Sequence, residues 1–142
     1  MAVDIPELYA EKGLFLIKRA EGSKFRTYRP AVSKYDGVRT APFSDDAGST
    51  ALTDAITISR PSGKKIVLEK IAVVTASGGE LHVVKVSGAT EDTMAIFPLE
   101  NGIIDLTDTP LMVEEEDSMK IKYIQDTAGK IRITAFYRIL NL

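Results

Sequence analysis

A chain of 142 residues that is 44% hydrophobic can bury one core of ordinary size but not two, so a single domain with an appendage is expected. It contains no cysteine, which excludes disulfide frameworks, thiolate zinc sites and cysteine nucleophiles. The net charge of −2 is unevenly spread: residues 1–39 carry eight Lys/Arg against five Asp/Glu and residues 40–142 carry ten against fifteen, a mildly basic leader on an acidic body.

The N-terminus shows no basic region followed by an apolar stretch, and no run approaches the ~18 apolar residues of a membrane span. A soluble chain without a secretion signal is expected. There is no repeat with a period of roughly 20–50 residues. The first element reads as a short helix, with Asp4 as its cap, Pro6 in its first turn, Glu7 and Glu11 near its positive end and Gly13 closing it. Leu14-Phe-Leu-Ile-Lys-Arg19 is too short an apolar run to separate strand from continuing helix, and strand is the preferred reading.

From Glu21 to Leu52 the periodicity disappears, punctuated by Gly22, Pro30, Gly37, Pro42 and Gly48. A structureless stretch of this length is uncommon inside a compact domain, so it is expected to be disordered, a linker, or ordered by contact with a partner. Its composition favours ordering by contact. Phe25, Tyr28, Tyr35, Val38 and Phe43 are interleaved with Lys24, Arg26, Arg29, Lys34 and Arg39, whereas a solvated linker is poor in aromatics. Arginine and tyrosine are favoured at protein interfaces, and aromatics among cations can also stack on bases; protein–protein docking is the preferred reading, since a dedicated nucleic-acid binder is more basic overall. Phe25, Arg26, Tyr28, Arg29, Lys34, Tyr35, Arg39 and Phe43 are accordingly the candidate partner-binding residues, with residues 1–51 forming helix and docking arm and residues 52–142 the folded domain.

Beyond Leu52, strands and turns recur at spacings of about 8–12 residues, the pattern of a sandwich or barrel. Ile56 and Ile58 alternate with Thr57 and Ser59. Pro61-Ser-Gly63 turns into the run Lys65–Thr75, and Ser77-Gly78-Gly79 leads to Glu80–Ser87, predicting a hairpin. Further strands are predicted at Met94–Leu99, Ile103–Thr107, Leu111–Val113, Met119–Gln125 and Lys130–Leu140. In the last two, Met119, Ile121 and Tyr123 share one face, as do Ile131, Ile133, Ala135, Tyr137 and Ile139. Eight or so short strands must stack as two sheets or close on themselves to manage their edges. The fold class is mainly β, a jelly-roll-like antiparallel β-sandwich. An immunoglobulin-like sandwich is the alternative, without the Trp and paired Cys of its antibody-type members.

Signals for catalysis are sparse. His82 is the only histidine, so any Ser-His-Asp triad must use it; it lies in a predicted strand in register with Val84 and Val86, where a structural role suffices. Glu114-Glu-Glu-Asp117 and Asp45-Asp46 offer oxygen ligands but lack the spacing and glycine of a calcium loop, and read as solvated turns. Pro61-Ser-Gly-Lys-Lys65 lacks the spacing of a phosphate-binding loop and reads as a hairpin turn. No catalytic residue, metal or cofactor is assigned, and a non-enzymatic protein is expected.

A leader ordered by its neighbours, followed by a small cysteine-free β-sandwich, resembles the decoration (cement) proteins on the outside of tailed-phage capsids, in particular the jelly-roll type of thermophilic phages. The resemblance covers the whole chain in architecture. Its nearest approach to a motif is Thr109-Pro-Leu-x-Val113 followed by Asp117-x-Met-x-Ile-x-Tyr123. The resemblance implies a virion structural protein, made in the host cytoplasm and bound to the outer capsid surface as a homotrimer. Its partners would be the major capsid protein and neighbouring copies, with neither nucleic acid nor membrane involved. A receptor- or carbohydrate-binding head of a fibre, spike or surface protein is the alternative that the same sandwich can serve. An enzyme on a cupin-like jelly roll would need a metal cluster, which one histidine does not supply.

Overall fold

The computed structural model describes residues 15–18, 25–28 and 37–142, and the chain divides into two compact units, Met1–Asp36 and Gly37–Leu142. In the first unit, β1 (Phe15–Lys18) and β2 (Phe25–Tyr28) form an antiparallel pair, with Phe15 opposite Tyr28 and Lys18 opposite Phe25. The strand expected near Leu14–Arg19 is therefore present. The region after Glu21, expected to lack elements, contains β2 and, further on, β3. The helix expected around Asp4–Gly13 lies outside the described residues.

The second unit contains β3 (Arg39–Asp45), β4 (Thr53–Ser59), β5 (Lys64–Thr75), β6 (Gly79–Ser87), β7 (Thr90–Leu99), β8 (Gly102–Asp105), β9 (Leu111–Val113), β10 (Ser118–Gln125) and β11 (Ile131–Asn141). They form two antiparallel sheets. Sheet 1 has the order β3-β11-β5-β8, with β9 sharing the same edge of β5; sheet 2 has the order β4-β10-β6-β7. Their inner faces supply one core: Ile66, Leu68, Ile71, Val73, Ile131, Ile133 and Ala135 from sheet 1 against Ile56, Ile58, Leu81, Val83, Met119, Ile121 and Tyr123 from sheet 2. The period-2 alternation read from β4, β10 and β11 is the alternation of core and surface. A bulge at Phe136/Tyr137 shifts the pairing of β11 with β5, and Tyr137 and Ile139 remain only partly buried.

Two expectations need correction. The folded domain begins at Gly37, not at residue 52: β3 pairs with β11 from Tyr137↔Arg39 to Ile131↔Asp45. Pro42, which argued against a strand, is tolerated because β3 lies at a sheet edge, where one side of the backbone needs no ladder bond. The hairpin predicted between Lys65–Thr75 and Glu80–Ser87 is not formed. β5 and β6 belong to different sheets, so Ser77-Gly78-Gly79 carries the chain across the sandwich. Only glycine fits that crossing closely enough, since a Cβ on Gly79 would sit 1.9 Å from the Ile124 carbonyl oxygen. Pro61-Ser-Gly63 is the turn expected, closed by Lys64 N–H donating to the Pro61 carbonyl at 3.1 Å, but it too passes between sheets and is not a hairpin within one.

Each end of the sandwich is stitched by one polar side chain. At the first, Gln125 is 2% exposed and uses its whole hydrogen-bonding capacity. Its Oε1 accepts from Ser49 N–H (3.0 Å) and Gly129 N–H (3.3 Å), while Nε2 donates to Thr75 Oγ1 (3.0 Å) and the Gly129 carbonyl (3.2 Å). Gly48, at φ +69°, passes so close that a Cβ there would lie 2.1 Å from Gln125 Oε1. At the second, the Arg60 guanidinium donates to the backbone carbonyls of Lys64 (2.9 Å), Glu115 (3.2 Å) and Glu116, joining the β4–β5 turn to the β9–β10 loop.

Candidate partner interface

The eight residues expected to form one docking arm are divided by the structure. Phe25, Arg26 and Tyr28 lie in β2, and Arg29, Lys34 and Tyr35 lie outside the described residues. Arg39 opens β3 and is exposed. Phe43 is not an arm anchor. It packs against the core, half-buried, with its ring 5.6 Å from that of Tyr123 at 49°. Alternation along an edge strand turns Ala41 and Phe43 inward and Thr40, Pro42 and Ser44 outward.

The outer face of sheet 2 is ionic. Lys120 and Lys122 project from β10 on the side opposite Met119, Ile121 and Tyr123. Lys120 Nζ lies 3.0 Å from Asp54 on β4 and 3.2 Å from Glu91 on β7; Lys122 Nζ lies 3.5 Å from Asp54 and also bonds Glu91. These hydrogen bonds hold the Asp54 and Glu91 carboxyls below the usual carboxylate range and push the Lys120 and Lys122 ammonium groups above the usual lysine range. Beneath the network Val84, opposite Lys120, is buried. The lysine stems cover apolar surface while their heads stay wet.

The outer face of sheet 1 differs in kind. Val74 on β5 is 62% exposed and Ile103 on β8 is 68% exposed, with Ala72, Ile103's partner, between them in the register. Thr134 and Arg132 continue the surface onto β11, and Met112 and Leu140 extend it toward the other end. Periodicity alone did not single out these residues. The available signal was the run Ile71-Ala-Val-Val74, where an apolar residue occupies the outward parity of a half-buried strand.

The remaining candidates make local contacts. His82 lies on the outer side of β6, mostly covered, with Nε2 2.9 Å from Glu80 Oε1. The acidic run after β9 is a loop held by its backbone: Arg60 takes two of its carbonyls, Asp117 accepts from Gly88 N–H at 2.8 Å, and Glu116 pairs with Lys85 at 3.4 Å. Hydrogen bonds to the backbone, with Lys85 beside it, hold the Glu116 carboxyl below its ordinary range. Burial, with Asp45 nearby, pushes the Tyr123 hydroxyl up. Among the described residues no group of three His, Cys, Asp or Glu is placed to hold a metal ion, and no helix is long and apolar enough to cross a membrane.

No protein-family profile matches this chain, and no curated protein is similar to it. A solved structure from work reporting that Bacillus endospore appendages form a novel family of disulfide-linked pili is similar over 81% of this chain and 99% of that one, at 13% sequence identity and a TM-score of 0.46. A likeness this distant says nothing about function.

Proposed function

We propose that this chain is a non-enzymatic virion structural protein, a capsid decoration protein of the jelly-roll type whose N-terminal segment binds the outer surface of the shell. The observation that carries the reading is the strand order. Counted from β3, with β8 and β9 taken as one position, sheet 1 runs 1-8-3-6 and sheet 2 runs 2-7-4-5. Consecutive strands alternate between sheets early and late in the chain, as in the two interleaved Greek keys of a jelly roll, an architecture used by viral capsid domains and lectins.

The segment before the sandwich supports the docking role. Residues 1–36 lead directly into β3, an edge strand, and combine Phe25, Tyr28 and Tyr35 with Arg26, Arg29 and Lys34. Two strands of four residues each, β1 and β2, form a short pair of the kind that gains stability from packing against a partner. Ordering a segment costs roughly 1–2 kcal/mol per residue, and aromatic contacts with charge-assisted hydrogen bonds would offset that cost on the shell.

Co-sedimentation with the shells of the particle it decorates tests the reading, using the full chain and residues 37–142. The cut must fall at 36, because removal to residue 50 would also delete β3 and break the Ser49 contacts to Gln125. The full chain is expected to sediment with the shells and residues 37–142 to stay in solution. Equal binding by both would sink the arm mechanism, and binding by neither would sink the decoration reading.

A further inference from the structure

We propose that the outer face of sheet 1 makes a second contact with the shell, laying an uncharged strip on the protein surface to which the N-terminal segment binds; the inference rests on the decoration reading. The strip is visible in the register. Pro42 on β3, Thr134 on β11, Ala72 on β5 and Ile103 on β8 stand side by side, one row across all four strand positions without a charge in it. Val74 adds a second apolar side chain beside the row, and both it and Ile103 are more than half exposed. On sheet 2 the centre of the outer face is instead taken by Lys120, Lys122 and their carboxylates. A contiguous apolar patch on an otherwise charged domain marks an interaction surface.

Area and chain direction choose the occupant. β3, β11 and β5 have 7, 11 and 12 residues, and β8 and β9 add 4 and 3 at the far edge. At about 3.3 Å per residue and about 4.8 Å between strands, the whole face covers roughly 600 Å². A stable complex buries about 800 Å² per partner. The face is therefore too small to hold a free partner by itself, a second copy included, and suits a surface kept close by another contact.

The N-terminal segment supplies that other contact. It leads straight into this sheet: the first unit ends at Asp36, Arg39 opens β3, and the uncharged row begins at Pro42 of the same strand. Covalent linkage gives a second contact an effective concentration on the order of millimolar, so a face that does not bind alone still strengthens binding by the whole chain. The charges flanking the row are matched within the chain, Arg132 lying 3.6 Å from Asp46 and Lys70 standing opposite Asp105, so the surface it meets is apolar and needs no charge of its own.

Co-sedimentation with the shells tests the inference, comparing the full chain with full-length Val74→Asp/Ile103→Asp and with Ile96→Asp, which puts a carboxylate on the ionic sheet. The parent and Ile96→Asp should bind alike, and the double aspartate about 10-fold more weakly with its thermal transition retained. A second probe avoids adding charge. Val74→Cys gives a chain without cysteine a lone thiol for an environment-sensitive fluorophore, whose emission should shift to the blue on shells, while the same label at Ile96→Cys should not shift. A parent chain that stays in solution overturns the decoration reading and this inference together. A parent that sediments, with the double aspartate binding as tightly or the Val74 label silent, overturns only the contact through sheet 1. A free chain that light scattering shows to be an oligomer dissociated by the aspartates would make a second copy the occupant and overturn it as well.

Discussion

The two outer faces of the sandwich have similar backbones and opposite chemistry. On sheet 2, two lysines from the central strand β10 reach carboxylates on both edge strands, so the charges are spent on one another and on covering Val84. On sheet 1, the ion pairs lie around an apolar centre and leave Val74 and Ile103 in water. The contrast teaches that alternation only assigns residues to the core or away from it. Whether an outward position faces solvent or a partner depends on which side chains surround it.

The contrast also depends on both sheets being held in place, and Gln125 ties them at one end. Gln125→Leu strands the Ser49 and Gly129 N–H groups in a buried site and should cost about 2–4 kcal/mol in urea unfolding. Arg60→Ala at the opposite end should cost less, roughly 1–3 kcal/mol, because water can reach part of that site and replace some of the lost donors.

The smallest effect is expected from the ionic face itself. Lys122→Met should lower the melting temperature by no more than a few degrees, less still in high salt, as for other surface ion pairs. Its pH dependence has a definite sign. Asp54 and Glu91 titrate below their ordinary range, so their contribution is present above the unfolded carboxylate range and is lost as pH falls through the folded values. Lys120 and Lys122 titrate above theirs, so their contribution is present below the unfolded values near 10 and is lost as pH rises through the folded ones. Melting temperatures in Lys122→Met should therefore differ most from the parent between about pH 5 and 10.

Much of the fold was legible because β4, β10 and β11 obey strict alternation, and their apolar residues are those found in the core. Sheet membership was not. Tight turns after Ser59 and Thr75 read as hairpins, yet the partner of each strand is chosen by long-range packing of two faces, which no local signal encodes. β3 was hidden by Pro42 and by the weak contrast of Ala41 and Phe43 with Thr40 and Ser44. That miss carried Phe43 into the expected arm, when its ring belongs against Tyr123. The aromatic and basic residues of β2 were legible as a cluster, but their pairing with Phe15–Lys18 was not.

Hydrogen–deuterium exchange on the full chain, free and bound to shells, tests the account most directly. It predicts that residues 15–28 gain protection on binding while the amides of β4 and β7, the edges of the ionic sheet, are unchanged. Protection confined to β4 and β7, with none gained at residues 15–28, would contradict it.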